Sequence, residues 1–248
     1  MMVAPSVQIV LETLLRHRVE ALLMGGQACV VYGASEFTRV VEVAVLANAA
    51  NLESLSAAMR DLRAEVIAVP PFDATMLDAG HAVHFRCHAP LVDGLRVDVM
   101  SRMRGVDEFA RLWERRVTLA SGIALLSLPD LVASKKTQRD KDWPMLRRLV
   151  EADYFAKSRT PTPGYIRFWL RECRTPALVS EVVTRHAQEA KLESRPAVLV
   201  AVRGGSEAAI ATALREEEDA ERAADLVYWA PLKSELERLR HPAKDARP

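Results

Sequence analysis

The stretch from Ala21 to Leu46 constrains this chain more than any other. Four apolar residues, Ala21–Met24, run into Gly25-Gly26. Residues 27–32 then have the length and composition of a short helix, stopping near Gly33. Val40–Leu46 follows, β-branched and apolar around one acid, Glu42, which is the pattern of a buried strand. Strand, glycine pair, short helix and second strand within 26 residues require a sheet with helices packed on it. The expected class is therefore α/β (α+β), with a mixed sheet.

The flanking segments extend that reading. Ser6–Arg18 carries Val7, Ile9, Val10, Leu14 and Leu15 at helical spacing. Asn51 is placed to cap a helix over 52–62. Glu65–Val69 reads as a strand ended by Pro70-Pro71, and 72–80 as a loop. Residues 81–88 and 95–100 read as strands joined by a turn at Asp93-Gly94. Residues 107–115 form a helix in this reading, and 117–119 a short strand. After Leu128 the texture is helical only: 130–137 with Pro129 at its first position, then 143–155, 164–173, 177–192, 206–228 and 232–240. The expected organisation is an α/β half over 1–125 and a helical region over 126–248.

Composition narrows the function classes. Half of the 248 residues are apolar and the formal net charge is +1, so a wholly disordered chain is excluded. No apolar run approaches the ~20 residues of a membrane span. The first residues lack a basic n-region and read as a helix, not a leader. Cys29, Cys87 and Cys173 form no disulfide or zinc pattern, which points to a reducing cytoplasm. Charge is uneven: residues 101–180 hold 16 basic and 9 acidic side chains. Such a surplus suits a phosphate-bearing ligand, or is a solvated surface.

The residues that carry chemistry fall in a fixed order. Gly25-Gly26 ends the first strand, Glu42 sits on the second, and Asp98 lies between Val97 and Val99 on a third. Residues two apart on a strand share a face, so positions 40 and 42 do. Carboxylates on one face of neighbouring strands can share divalent metals, clamp a triphosphate and activate a hydroxyl. A glycine pair at a helix start lets backbone N–H groups approach phosphate. This arrangement, with the phrase GGQACVVYGASEFTR, resembles the nucleotidyltransferase superfamily, in particular its minimal and abortive-infection (toxin–antitoxin-like) members. The resemblance covers about residues 20–150. It implies Glu42 and Asp98 as catalytic, metal-binding carboxylates for Mg²⁺ or Mn²⁺, and Gly25, Gly26 and Arg39 at the nucleotide. A segment after the sheet, Leu128 to Trp143, is similar to one that faces phosphates in these relatives. It implies nucleotide contacts for Lys135, Lys136 and Arg139. Lys135 and Arg139 are expected to share a helix face, with Lys136 paired to Asp140.

The sequence departs from the family pattern at Val40, where the first acid of the pair belongs. Glu36, upstream in the loop, is the nearest candidate to replace it. On the strand reading, Val40→Asp restores a carboxylate pair. His81, His84 and His88 read as residues of a half-buried strand and not as a metal site. Trp113, Trp143, Trp169 and Trp229 read as core anchors. Neither G-x-S-x-G nor G-x-G-x-x-G occurs. Two readings stay open. One is a metal-dependent nucleotidyltransferase moving a nucleoside monophosphate from an NTP to a hydroxyl of a protein, RNA or small molecule. The other is an inactive protein of the same fold that binds a nucleotide or a protein partner.

Overall fold

The computed structural model describes residues 4–34, 38–193 and 195–241. Glu36 lies outside the described residues. The chain forms two compact units, 1–134 with 227–248, and 135–226.

The first unit is an α/β layer built on one mixed sheet. In chain order its elements are α1 (Pro5–Arg16), β1 (Ala21–Met24), α2 (Gly25–Val31), β2 (Val40–Val45), α3 (Ala49–Asp61), β3 (Glu65–Val66), α4 (Ala74–Ala79), β4 (Val83–Arg86), β5 (Arg96–Met100), α5 (Phe109–Glu114), β6 (Val117–Thr118), β7 (Ala124–Leu125) and α6 (Leu128–Ser134). The sheet order is β3-β4-β5-β2-β1-β7-β6. β2 lies between β5, parallel to it, and β1, antiparallel. Both neighbours saturate its backbone, so Glu42 is on a central strand.

Alternation divides the sheet into two faces. Val41, Val43, Val45, Val83, Phe85, Val97 and Val99 are all buried on one. Burying seven such side chains is the main local drive for pairing these strands, at about 1.5–3 kcal/mol each. The other face carries Val40, Glu42, Arg96, Asp98, His84 and Arg86, none of them fully buried.

Several elements depart from the sequence expectation. The helix after the glycine pair starts at Gly25 itself. Asn48, not Asn51, caps α3, its side chain accepting from Asn51 N–H at 2.8 Å. Asn51 is instead buried, tying Glu20 to Leu46 through three hydrogen bonds. The expected loop 72–80 contains α4, capped by Asp73 and closed by Gly80 at φ +102°. β3 keeps two residues of the five expected, and β7 was missed because two residues have no period to read. Leu15 is exposed and Leu11 takes its place in the core.

The second unit is helical. It holds α7 (Asp142–Lys157), α8 (Pro163–Glu172), α9 (Pro176–Arg185), α10 (Ala187–Ala190), α11 (Pro196–Arg203) and the first part of α12 (Glu207–Arg240). The segment expected at 177–192 is two helices. The two expected after 206 are one, and Pro231 does not break it. Loss of its N–H weakens the turn, but Leu232 is buried beyond it and Glu235 reaches His81 at 2.9 Å, holding the final turns. Trp143 and Trp169 anchor the core, whereas Trp113 and Trp229 are only half-buried. No helix among the described residues is long and apolar enough to cross a membrane.

Candidate functional site

The candidate site is the half-exposed face of β1, β2, β5 and β4. Register sets its rows. His84, Asp98, Glu42 and Met24 are aligned across the four strands, and Arg86, Arg96 and Val40 form the next row. Glu42 and Asp98 are thus direct neighbours on adjacent parallel strands and share a face. Val40 stands on that face beside them.

Gly25 and Gly26 are shaped around Glu42. Gly25 adopts φ +63°, and a Cβ there would lie 1.8 Å from Glu42 Oε2. Only glycine avoids both the left-handed strain and that overlap. Gly26 N–H donates to Glu42 Oε2 at 2.8 Å. The backbone N–H that would meet a phosphate in the expected loop is here given to the chain's own carboxylate. Gln27 Nε2 donates to Thr38 O at 2.9 Å, tying α2 to the approach to β2.

Asp98 is held from two sides. Arg96 Nε donates to Oδ1 at 2.6 Å and Arg96 Nη2 to Oδ2 at 2.9 Å. His84 Nδ1 lies 2.9 Å from the same Oδ1. Burial alone would raise the Asp98 carboxyl, but the hydrogen bonds and charges of His84 and Arg96 outweigh it and hold the group below its ordinary range. Asp98 therefore stays an anion with both oxygens engaged. The two-pronged contact is the geometry at which a guanidinium binds a carboxylate best.

This ligand set does not fit a pair of divalent metals. Val40 supplies no donor, one Glu42 oxygen accepts from Gly26, and both Asp98 oxygens are forked by Arg96. Among the described residues no group of three or more His, Cys, Asp or Glu is placed to hold a metal ion. The positive charge beside Asp98 is covalently part of the chain.

No family model matches the sequence, and no curated protein gives a significant match.

The basic segment differs from its expected form. α6 ends at Ser134, so Lys135, Lys136 and Arg139 are not on a helix and share no helical face. Lys135 and Arg139 converge instead on one carboxylate, Asp142, at 3.4 and 2.8 Å. Burial would raise the Asp142 carboxyl, and Lys135, Thr137 and Arg139 together bring it below its ordinary range. Lys136 pairs with Glu172 at 2.9 Å, while Asp140 pairs with Arg222 at 2.7 Å, so the expected Lys136–Asp140 bridge is absent. These residues belong to the second unit and brace it. Arg39 is exposed immediately before β2.

Sequence reasoning missed Arg96, Arg86 and His84. A signal existed for Arg96, since it stands two residues before Asp98 on one strand and must share its face. His84 and Arg86 had none, because their place opposite Asp98 and Arg96 depends on the β4–β5 register.

Proposed function

We propose that this chain is a nucleotidyltransferase-like protein that binds the phosphates of a nucleotide without a metal and has lost nucleotidyl transfer. The observation that carries this reading is the Arg96 fork on Asp98. In the metal-dependent reaction a cation must sit between carboxylates and triphosphate. Here a guanidinium is fixed on the carboxylate, remains 41% exposed at its side chain and keeps Nη1 for a second anion. Arg86, its exposed neighbour in the same row, adds a second cation. Guanidinium groups recognise phosphate in the same planar, two-pronged way as carboxylate.

Titration calorimetry of ATP in excess EDTA tests this. Saturable binding is expected, and Arg96→Gln should weaken it by about 10- to 100-fold, since a charge-assisted contact contributes about 1.5–3 kcal/mol. Binding that appears only with Mg²⁺ and survives Arg96→Gln refutes it. The second reading, a Mg²⁺- or Mn²⁺-dependent transferase acting on a protein, RNA or small-molecule hydroxyl, draws support from Glu42 and Asp98 being register partners. Label transfer from an NTP to any acceptor, lost in Asp98→Asn, would establish it in place of the first.

A further inference from the structure

The helical unit contains a cavity of about 540 Å³ with four arginines, Arg147, Arg174, Arg215 and Arg222, in its wall. That volume is in the range of small-molecule sites. The arginines outnumber the carboxylates that serve them. Glu218 is shared, accepting from Arg147 at 3.0 Å and Arg222 at 2.7 Å. Glu217 is shared too, accepting from Arg174 at 3.2 Å and Arg195 at 2.7 Å. Arg215 is exposed and makes no ion pair among the described residues. Asp140 adds a further contact to Arg222 at 2.7 Å from an exposed position, and Asp219 is exposed to solvent, where such charges are screened.

Arg174 points most directly to a ligand. It is 7% exposed, and its Nε–H has no hydrogen-bond partner. A buried donor without an acceptor costs about 1–3 kcal/mol. Nε lies on the guanidinium edge that a two-pronged anion takes, and Glu217 is met through Nη1. Arg174 is also held in place, its guanidinium 5.3 Å from the ring centre of the buried Trp143, which Arg222 approaches at 5.4 Å. Burial and the Arg195 cation disfavour its charge and outweigh Glu172, Glu217 and Glu221, which favour it; an anion beside the guanidinium offsets the Arg195 repulsion. Pro176, Ala211 and Leu214 give the same cavity an apolar wall.

We propose that this cavity binds a small phosphomonoester with an apolar body, the phosphate on Arg174 and Arg215 and the body on Pro176 and Leu214. The site lies wholly within the helical unit and does not depend on the reading given to Arg96.

Titration calorimetry on the full chain with phenyl phosphate, inorganic phosphate and phenol tests it. Phenyl phosphate should bind saturably and more tightly than phosphate, with phenol weakest. Arg174→Lys keeps the charge but removes the Nε–H, and should weaken phenyl phosphate about tenfold or more. Arg215→Gln, on the surface, should weaken it several-fold, and decides the matter if Arg174→Lys does not fold. Arg96→Gln should leave it unchanged. Absence of saturable binding, equal affinity in Arg215→Gln and the parent, or loss of binding in Arg96→Gln overturns the proposal.

Discussion

Replacing Gly25 with alanine probes the contact around which the sheet face is arranged. The new residue would sit at φ +63°, and left-handed backbone costs an L residue about 1–2 kcal/mol. Its Cβ would fall 1.8 Å from Glu42 Oε2, 2.2 Å from Cδ and 2.8 Å from Cβ. The carboxylate has to move away, and the bond it accepts from Gly26 N–H is lost with it. A hydrogen bond to a charged group contributes about 1.5–3 kcal/mol, so Gly25→Ala should destabilise the parent by about 2.5–5 kcal/mol. Glu42→Ala removes the two colliding atoms and keeps only the Cβ at 2.8 Å. In that background the backbone strain stays and the carboxylate contribution vanishes. Urea unfolding of the four proteins at pH 7 therefore has an expected coupling of about 1.5–3 kcal/mol between the two sites. Agreement of the two Gly25→Ala costs within about 0.5 kcal/mol would show that the glycine is not there for Glu42.

Two further outcomes follow from the same face and from the basic segment. Val40 is the register partner of Arg96, so an aspartate introduced at 40 meets a guanidinium before it meets a metal. Val40→Asp alone should show no Mg²⁺-dependent rise in Tm, whereas Val40→Asp with Arg96→Gln should; an equal response in the single variant refutes the role given to Arg96. Asp98 and Asp142 are both held below the ordinary carboxylate value of about 4. A depressed native pKa contributes stability that is fully present above the unfolded value and is lost as pH falls through the native one. The urea midpoint should thus fall steeply below about pH 4, and less steeply in Asp98→Asn and Asp142→Asn. Identical slopes in parent and variants count against both ion-pair assignments.

Much of the α/β half was legible because its signals are local. The run from Ala21 to Leu46 contains a strand, an obligatory glycine turn and a valine-rich strand, and each reports its own conformation. Alternation in Arg96-Val97-Asp98-Val99-Met100 fixes which residues share a face whatever the partner strand. From these alone, Val40 and Glu42 could be placed on one face of their strand and Asp98 on the face of its own strand opposite Val97 and Val99; that the two strands are neighbours was implied by the resemblance.

Tertiary structure decided what those residues meet. The expected turn at Asp93-Gly94 forms, Leu95 N–H donating to Val92 O at 3.0 Å, but the preceding residues do not extend the ladder: Cys87 N–H donates to Leu95 O at 2.9 Å and Gly94 N–H to Cys87 O at 2.9 Å, so the connection between the strands is longer than the turn. That difference aligns His84 with Asp98 and Arg86 with Arg96. Strand register depends on the whole of the buried face fitting at once, which no single segment encodes. The same holds for Lys135 and Arg139. Their four-residue spacing suggests a helix face, yet the helix stops at Ser134 and the buried Asp142 draws both cations to itself. A buried carboxylate is costly unless paired, and that demand, arising only once the chain is folded, outweighs the local preference for helix.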